Sequence, residues 1–190
     1  MNPRIEPLSE ENWEDFAILC GAMGPNRSCW CLWWRDSGEP HKGTARSRAL
    51  DLVREIEHPL GALAYSDSDP IGWVAVSPRS EYPRLNRGRD TAPDGPTADT
   101  WVVPCFFILP MFRGEGVARR LLDAALGIAR AHGAKVVEGV PVDPARKVRT
   151  PSASYTGTVA LFATAGFQEV TRRTEKGRVL MRLDVDHLPS

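Results

Sequence analysis

A run of β-branched and aromatic residues at 102–109 is the strongest hydrophobic feature of the chain. Such a run is typical of a β-strand that is buried on both faces. A short polar turn with two glycines, Gly114 and Gly116, follows it. Beyond this turn, hydrophobic residues recur at helical spacing as far as Gly133, which indicates an amphipathic helix that ends at a left-handed glycine. The centre of the chain is therefore predicted to be a strand, a glycine turn and a helix.

Two further helices are predicted in the first third of the chain. Ser9 can cap the first helix, which extends to Cys20, and Thr44 can cap the second, which extends to about His58. Three tryptophans lie between the two helices, within 30–34. Tryptophan buries a large surface, so we expect most of this cluster to pack in the core.

Alternating hydrophobic segments predict the remaining strands. One hairpin comprises 60–65 and 71–76, and a terminal hairpin comprises 168–173 and 179–183. The segment 135–140 follows the central helix, and a strand reached through a helix runs parallel to the strand before it. We therefore predict a single α/β domain over residues 1–190. Its mixed central sheet has about six or seven strands and is flanked by about four helices.

Composition and charge exclude several classes of protein. The chain has 24 basic and 24 acidic residues, so its net charge does not favour nucleic acid or anionic membranes. No hydrophobic run reaches the length of a membrane-spanning helix, and the N-terminal residues lack the hydrophobic core of a signal peptide. We expect a soluble, cytoplasmic protein that binds neither nucleic acid nor membrane. Its oligomeric state stays open, with a homodimer as one alternative.

The segment 77–100 interrupts the regular pattern, because it is rich in proline, glycine, aspartate and arginine. Long loops in compact domains are often functional, so one hypothesis is that this loop insertion forms a lid over a binding site. A solvated loop is the alternative.

The cysteines do not form a recognisable metal or disulfide pattern. Cys29 and Cys31 are too close in sequence for an ordinary disulfide, and a cytoplasmic protein would keep them reduced. Their spacing does not match that of zinc ligands. We therefore predict no metal and interpret these cysteines, with Cys20 and Cys105, as buried apolar thiols.

A glycine turn before a helix has a chemical use. The first N–H groups of a helix have no intrahelical partner and form its positive end, and glycines let a ligand approach the backbone. The turn is therefore a candidate site for a phosphate or pyrophosphate. It lacks the glycine pattern of a dinucleotide site and the Gly-Lys-Ser/Thr of a P-loop.

Two motifs resemble those of a known family. Arg113-x-x-Gly116-x-Ala118, between a hydrophobic strand and a helix, is similar to the acyl-CoA signature of the bacterial GCN5-related N-acetyltransferases (GNAT). The segment 159–167, which ends in Gly166-Phe167, resembles the late helix of the same family. The resemblance covers roughly residues 100–185. It implies a GNAT-like sheet in which the two central parallel strands splay apart, and acetyl-CoA as cosubstrate.

The resemblance also implies which residues bind the donor. In the family, the pantetheine arm pairs with the central strand where the parallel strands separate, and the pyrophosphate lies at the helix start. This assigns the following residues to acetyl-CoA: Phe107, Ile108, Leu109, Arg113, Gly114, Glu115, Gly116, Val117, Ala118 and Arg119.

The catalytic residues depart from the family pattern. Many members have a tyrosine on the late helix that protonates the departing thiolate, but this chain has Phe162 there, which we expect beside the thioester. Tyr155, at the start of that helix, is the candidate acid or a pantetheine contact. Glu138 is the candidate base, because burial on strand 135–140 would raise its pKa; the alternative is that it points away from the site.

The resemblance predicts an enzyme that transfers acetyl from acetyl-CoA directly to a primary amine of a small molecule or peptide. We expect Trp33 and Tyr82 to contact the acceptor. One alternative is an acyl-CoA-binding protein without transferase activity. Another is an acetyltransferase that modifies an antibiotic.

Overall fold

The computed structural model describes residues 2–23, 29–40, 42–143, 155–174 and 177–186, and seven strands lie within them. The strands are β1 (Arg4–Pro7), β2 (Gly61–Ser66), β3 (Asp69–Pro78), β4 (Thr100–Ile108), β5 (Val136–Gly139), β6 (Gln168–Thr171) and β7 (Leu180–Asp184). The helices are α1 (Trp13–Ala22), α2 (Ala45–Glu55), α3 (Pro83–Arg87), α4 (Val117–Ala131) and α5 (Val159–Thr164).

All seven strands form one mixed sheet in the order β1-β2-β3-β4-β5-β7-β6. β4 and β5 are parallel, and every other neighbouring pair is antiparallel. This confirms the predicted fold class, both hairpins and the parallel pair. β7 pairs with β5, and β6 follows it at the edge of the sheet, so the terminal hairpin extends the sheet beyond β5.

The alternation of side chains along β4 divides the core into two layers. Phe106 and Ile108 face the layer that contains α4 and α5. Cys105, Phe107 and Leu109 face the opposite layer, which contains α1 and α2. β4 is therefore covered on both sides, as its continuous hydrophobic run predicts.

The two N-terminal helices differ in how well their starts were predicted. Thr44 caps α2, where its side chain accepts a hydrogen bond from the Ser47 backbone N–H, as predicted. α1 begins at Trp13 rather than near Ser9. The side chain of Asn12 accepts the Ser9 backbone N–H at 2.8 Å, so the residues before Trp13 form a turn outside the helix.

The segment 77–100 is folded against the sheet, so it is not a solvated loop along its whole length. β3 continues to Pro78, a 3₁₀ turn covers Arg79–Glu81, and α3 follows. The side chain of Arg79 is completely buried and donates to Glu138 and to the backbone carbonyl of Thr91. Buried hydrophobic residues in this segment supply the contacts that fix it to the sheet. Because the segment is rich in proline and glycine, these residues show no regular spacing in the sequence.

A partly buried polar network anchors the same segment. His58 Nε2 lies 2.7 Å from a carboxylate oxygen of Glu81, and Arg35 pairs with the other oxygen. Burial raises the pKa of the Glu81 carboxyl, but His58 and Arg35 outweigh this effect, and the pKa lies below its ordinary value of 4.5. Glu81 therefore stays ionised when an unfolded chain would already bind a proton.

Replacing Glu81 by glutamine is expected to remove part of the pH dependence of stability. A depressed pKa contributes stability above the unfolded value of 4.5, and this stability is lost as the pH falls through the folded value. The difference in Tm between wild type and Glu81→Gln should be largest at neutral pH and should shrink in acid. Thermal unfolding against pH measures it, with the exposed Glu55→Gln of α2 as control. A difference that stays constant with pH would contradict the role assigned to Glu81.

Candidate active site

The parallel strands β4 and β5 separate at one end. β5 pairs only with Thr100–Val103, whereas β3 pairs with β4 as far as Ile108. Among the described residues, no strand therefore pairs with 104–108 on the β5 side. A cleft opens at this point.

The backbone of β4 presents hydrogen-bonding groups to this cleft. The Leu109 N–H donates to the Ile71 carbonyl at 3.0 Å, so Leu109 faces β3. Successive residues of an antiparallel strand direct their backbone groups to opposite sides. Phe106 and Ile108 therefore direct their N–H and C=O groups toward the cleft. Arg113 donates from Nε to the Ile108 carbonyl at 3.0 Å, which ties the following turn to the strand end.

The glycine turn forms the other wall. Gly114 and Gly116 have φ of +86° and +80°, a region that favours glycine, and the space where a Cβ would stand is open at both. No side chain caps α4, and the first intrahelical bond runs from the Arg119 N–H to the Gly116 carbonyl. The N–H groups of Gly116, Val117 and Ala118 precede this bond. They form the positive end of a fifteen-residue helix and can bind an anion.

The cleft has a volume of about 1270 Å³, which exceeds that of a typical small-ligand pocket. Its turn end is lined by backbone and by arginines, and we define it by these residues: Arg113, Gly114, Gly116, Val117, Ala118 and Arg119. Its thiol end is lined by sulfur and aromatic side chains, and we define it by these residues: Cys29, Cys31, Trp33, Trp34 and Cys105. One cleft thus joins an anion site to an apolar chamber across the open edge of β4.

We predicted that all four cysteines are buried in the core. The structure instead places three of them, Cys29, Cys31 and Cys105, on the cleft wall. Cys31 Sγ lies 4.0 Å from Cys105 Sγ and accepts a hydrogen bond from Trp73 Nε1 at 3.0 Å. Cys20 is fully buried, as expected. The described residues contain no group of three or more potential ligands that could hold a metal ion. The alternation along β4 could have identified Cys105, because it shares a face with Phe107.

A family model agrees with this architecture. Residues 26–148, more than half of the chain, match the model of the acetyltransferase (GNAT) family. The chain belongs to this family. No curated protein sequence matches the chain.

Solved structures share the GNAT fold over almost the whole chain. The GNAT domain of S. lividans PAT is 20% identical, with a TM-score of 0.56 over 96% of this chain and 90% of that one. A putative acetyltransferase from Salmonella typhimurium, solved with its cofactor acetyl-CoA, is 13% identical, with a TM-score of 0.59 over 100% and 98%. A phosphinothricin acetyltransferase from Sinorhizobium meliloti, in complex with AcCoA, is 15% identical, with a TM-score of 0.58 over 97% and 89%.

The GNAT cleft contains most of the residues predicted to bind the donor. Those that line it are Phe107, Ile108, Arg113, Gly114, Gly116, Val117, Ala118 and Arg119. Leu109 and Glu115 are not part of its described lining. Leu109 packs against the α1–α2 layer, and Arg119 also pairs with Asp123 at 2.9 Å.

Tyr155 lines the GNAT cleft, with its ring centre 6.4 Å from that of Trp34. Burial raises the pKa of its hydroxyl, and the charge of Arg178 offsets this only in part. Tyr155 therefore keeps its proton at neutral pH. Phe162, which we expected beside the thioester, is instead completely buried between Phe106 and Phe167.

The structure does not bring Glu138 to the GNAT cleft. Its side chain is only 1% exposed and pairs with Arg79 and Arg182 across the sheet. The alternation along β5 directs it away from the site, which corrects its assignment as the base. The carboxylate found in the described cleft lining is Asp36, and Arg84 pairs with it.

The two predicted acceptor contacts have different positions in this GNAT chain. Trp33 lines the cleft, is 54% exposed and lies under the Arg84 guanidinium at 4.0 Å. Tyr82 is buried at the start of α3 and is not part of the described lining, so the structure does not place it at the acceptor.

Of the helices that the described residues form, none is long and apolar enough to cross a membrane.

Proposed function

We propose that the chain is an acetyl-CoA-dependent N-acetyltransferase that transfers the acetyl group directly to a primary amine of a small molecule or peptide. The observation that carries this proposal is the meeting of two features in one cleft. The open edge of β4 and the uncapped start of α4 lie side by side there. The acetyl-CoA named for the Salmonella typhimurium and Sinorhizobium meliloti proteins of the same fold supports this choice of donor.

The residues at the turn end fit a pyrophosphate, because open N–H groups meet positive side chains there. The open edge of β4 fits the amide-bearing arm of the donor, since an extended chain can add to an open strand edge. When bound, acetyl-CoA supplies an activated acetyl thioester. We assign these residues to its binding: Phe107, Ile108, Arg113, Gly114, Gly116, Val117, Ala118 and Arg119.

The chemistry at the reacting centre uses few side chains. The Ile108 N–H faces the cleft and can donate to an oxygen on which negative charge develops. Tyr155 holds a proton at its hydroxyl and can donate it to a leaving thiolate. A free alkylamine has a pKa near ~10.4, so the acceptor must lose a proton before it attacks. Asp36 is paired, so we infer that water removes this proton and that alignment of the reactants supplies much of the rate.

The thiol end supports an acceptor with an apolar or aromatic body. Trp33 and Trp34 provide flat aromatic surfaces there. Arg48 of α2 also lines the cleft and can pair with an anionic group on the acceptor. These features favour a small apolar amine or an N-terminal peptide segment.

Release of free CoA thiol from acetyl-CoA, measured over a panel of amines, tests the proposal. Thiol release that depends on an aromatic or aliphatic amine supports a transferase. Tight acetyl-CoA binding without release by any amine would favour the alternative of an acyl-CoA-binding protein. Release confined to amino-bearing antibiotics would favour a resistance enzyme.

Replacing Tyr155 by phenylalanine is expected to lower kcat about hundredfold and to leave KM for acetyl-CoA unchanged, since only a proton donor is lost. Steady-state thiol release measures both constants. Tyr82→Phe is the matched control, because Tyr82 is buried away from the cleft and should keep wild-type kcat. A rise in KM with constant kcat would make Tyr155 a contact to the donor instead of an acid.

A further inference from the structure

The thiol pair on the cleft wall has no part in the proposed acetyl transfer. Cys31 lies in the tryptophan-rich turn and Cys105 lies in β4, and their sulfur atoms are 4.0 Å apart. A disulfide requires a separation of about 2.05 Å, so the sulfurs need to approach by roughly 2 Å. The pair joins positions 74 residues apart in the chain.

The surroundings of Cys31 favour its thiolate. An indole N–H can only donate, so Trp73 donates to the Cys31 sulfur at 3.0 Å. When Cys31 ionises, Cys105 can donate its S–H to the same sulfur. Hydrogen bonding from Cys105 lowers the pKa of Cys31 more than burial raises it, and Trp73 and the charge of Arg35 lower it further.

Cys105 has the opposite tendency. Its hydrogen bond with Cys31 and its burial raise its pKa well above that of a free thiol. Burial also raises the pKa of Cys29. The cleft therefore holds one thiol poised to ionise beside a second that keeps its proton, the arrangement of a reactive cysteine and a partner.

The backbone holds Cys31 in this position. Trp30 and Cys31 have φ of +49° and +56°, in the left-handed region that residues other than glycine rarely adopt. Such conformations cost free energy and persist where the surroundings impose them. Trp30 stacks on Trp13 of α1, with ring centres 5.7 Å apart, which fixes this turn against the core.

We propose that Cys31 and Cys105 form an oxidisable dithiol site in the thiol end of the cleft, with a small hydroperoxide as oxidant. The Cys31 thiolate attacks the peroxide, an S–O bond forms, the O–O bond breaks, and the leaving hydroxide takes a proton to become water. The Cys105 sulfur then attacks Cys31, the S–S bond forms, and the sulfenic hydroxyl leaves with the Cys105 proton as water. The two thiols lose two electrons and two protons, and hydrogen peroxide becomes two waters.

Intact-protein mass spectrometry after treatment with hydrogen peroxide tests this site without any acetyl donor, so its result is independent of the proposed transferase activity. We expect the loss of two hydrogens per chain and a crosslinked peptide pair that contains Cys31 and Cys105. Cys105→Ser should stop the reaction at a sulfenic acid on Cys31, which a 1,3-dione probe captures. Cys31→Ser should leave Cys105 reduced.

Cys29→Ser and Cys20→Ser are the matched controls, and both should still form the crosslink. In the wild type, where folding is not in question, competitive alkylation at neutral pH should label Cys31 about tenfold faster than Cys29. A crosslink between Cys29 and Cys31, or equal alkylation of Cys29 and Cys31, would overturn the proposal. So would resistance of Cys31 to peroxide while Cys29 is oxidised.

Discussion

Gly116→Asp is expected to weaken acetyl-CoA binding about hundredfold while the chain stays folded. Gly116 precedes α4, where open N–H groups form the positive helix end. A carboxylate there accepts these N–H groups itself and repels the pyrophosphate. The loss of one or two charge-assisted hydrogen bonds amounts to about 3 kcal/mol, and each 1.4 kcal/mol is tenfold in affinity. Isothermal titration with acetyl-CoA measures the change.

A second glycine, just beyond the other end of α4, supplies the control. Gly133 has φ of +82°, close to the +80° of Gly116, and the space for a Cβ is also open there. Gly133→Asp therefore imposes the same backbone strain, roughly 1–2 kcal/mol, at the opposite end of α4. It should lower Tm and leave acetyl-CoA affinity unchanged. Gly116→Asn separates charge from shape and should bind better than Gly116→Asp. Wild-type affinity in folded Gly116→Asp would contradict the placement of the pyrophosphate.

The strand β4, the helix α4 and the start of α2 could be predicted from the sequence, because local patterns determine them. Continuous hydrophobic residues specify β4, helical spacing specifies α4, and the Thr44 cap depends on residues within one helical turn. The separation of β4 and β5, which opens the cleft, was implied by the family resemblance. The structure shows it where β5 ends at Gly139.

The features that could not be predicted depend on contacts between distant segments. Arg79 lies in the segment 77–100, for which a solvated loop was one of the two alternatives, and its pairing with Glu138 of β5, 59 positions away, explains its burial. The face on which Glu138 lies is equally hidden, because a shift of one residue in strand register reverses it. Cys31 and Cys105 meet only once the turn after α1 packs on β4.

Loss of the ion pair between Glu138 and Arg79 is the second change from which we expect a large effect, here on stability. Glu138→Gln should destabilise the fold by about 3–5 kcal/mol, since it leaves the completely buried Arg79 without its carboxylate. In a chain of this length, that corresponds to a fall in Tm of roughly 10 °C. Chemical denaturation gives the free energy of unfolding, with Arg182→Met as comparison. Arg182 is one-third exposed, so its loss should cost only about 1 kcal/mol.

A double-mutant cycle and a kinetic measurement together separate this structural role from catalysis. Arg79→Met with Glu138→Met removes both buried charges, so its cost in stability should be well below the sum of the costs of the two single changes.

An acid–base group contributes about a hundredfold or more to the rate, whereas a group outside the cleft contributes little. Glu138→Gln should therefore keep kcat and its pH profile at temperatures where it is fully folded. A large fall in kcat without loss of stability would mean that Glu138 reaches the reacting amine, against its position between Arg79 and Arg182.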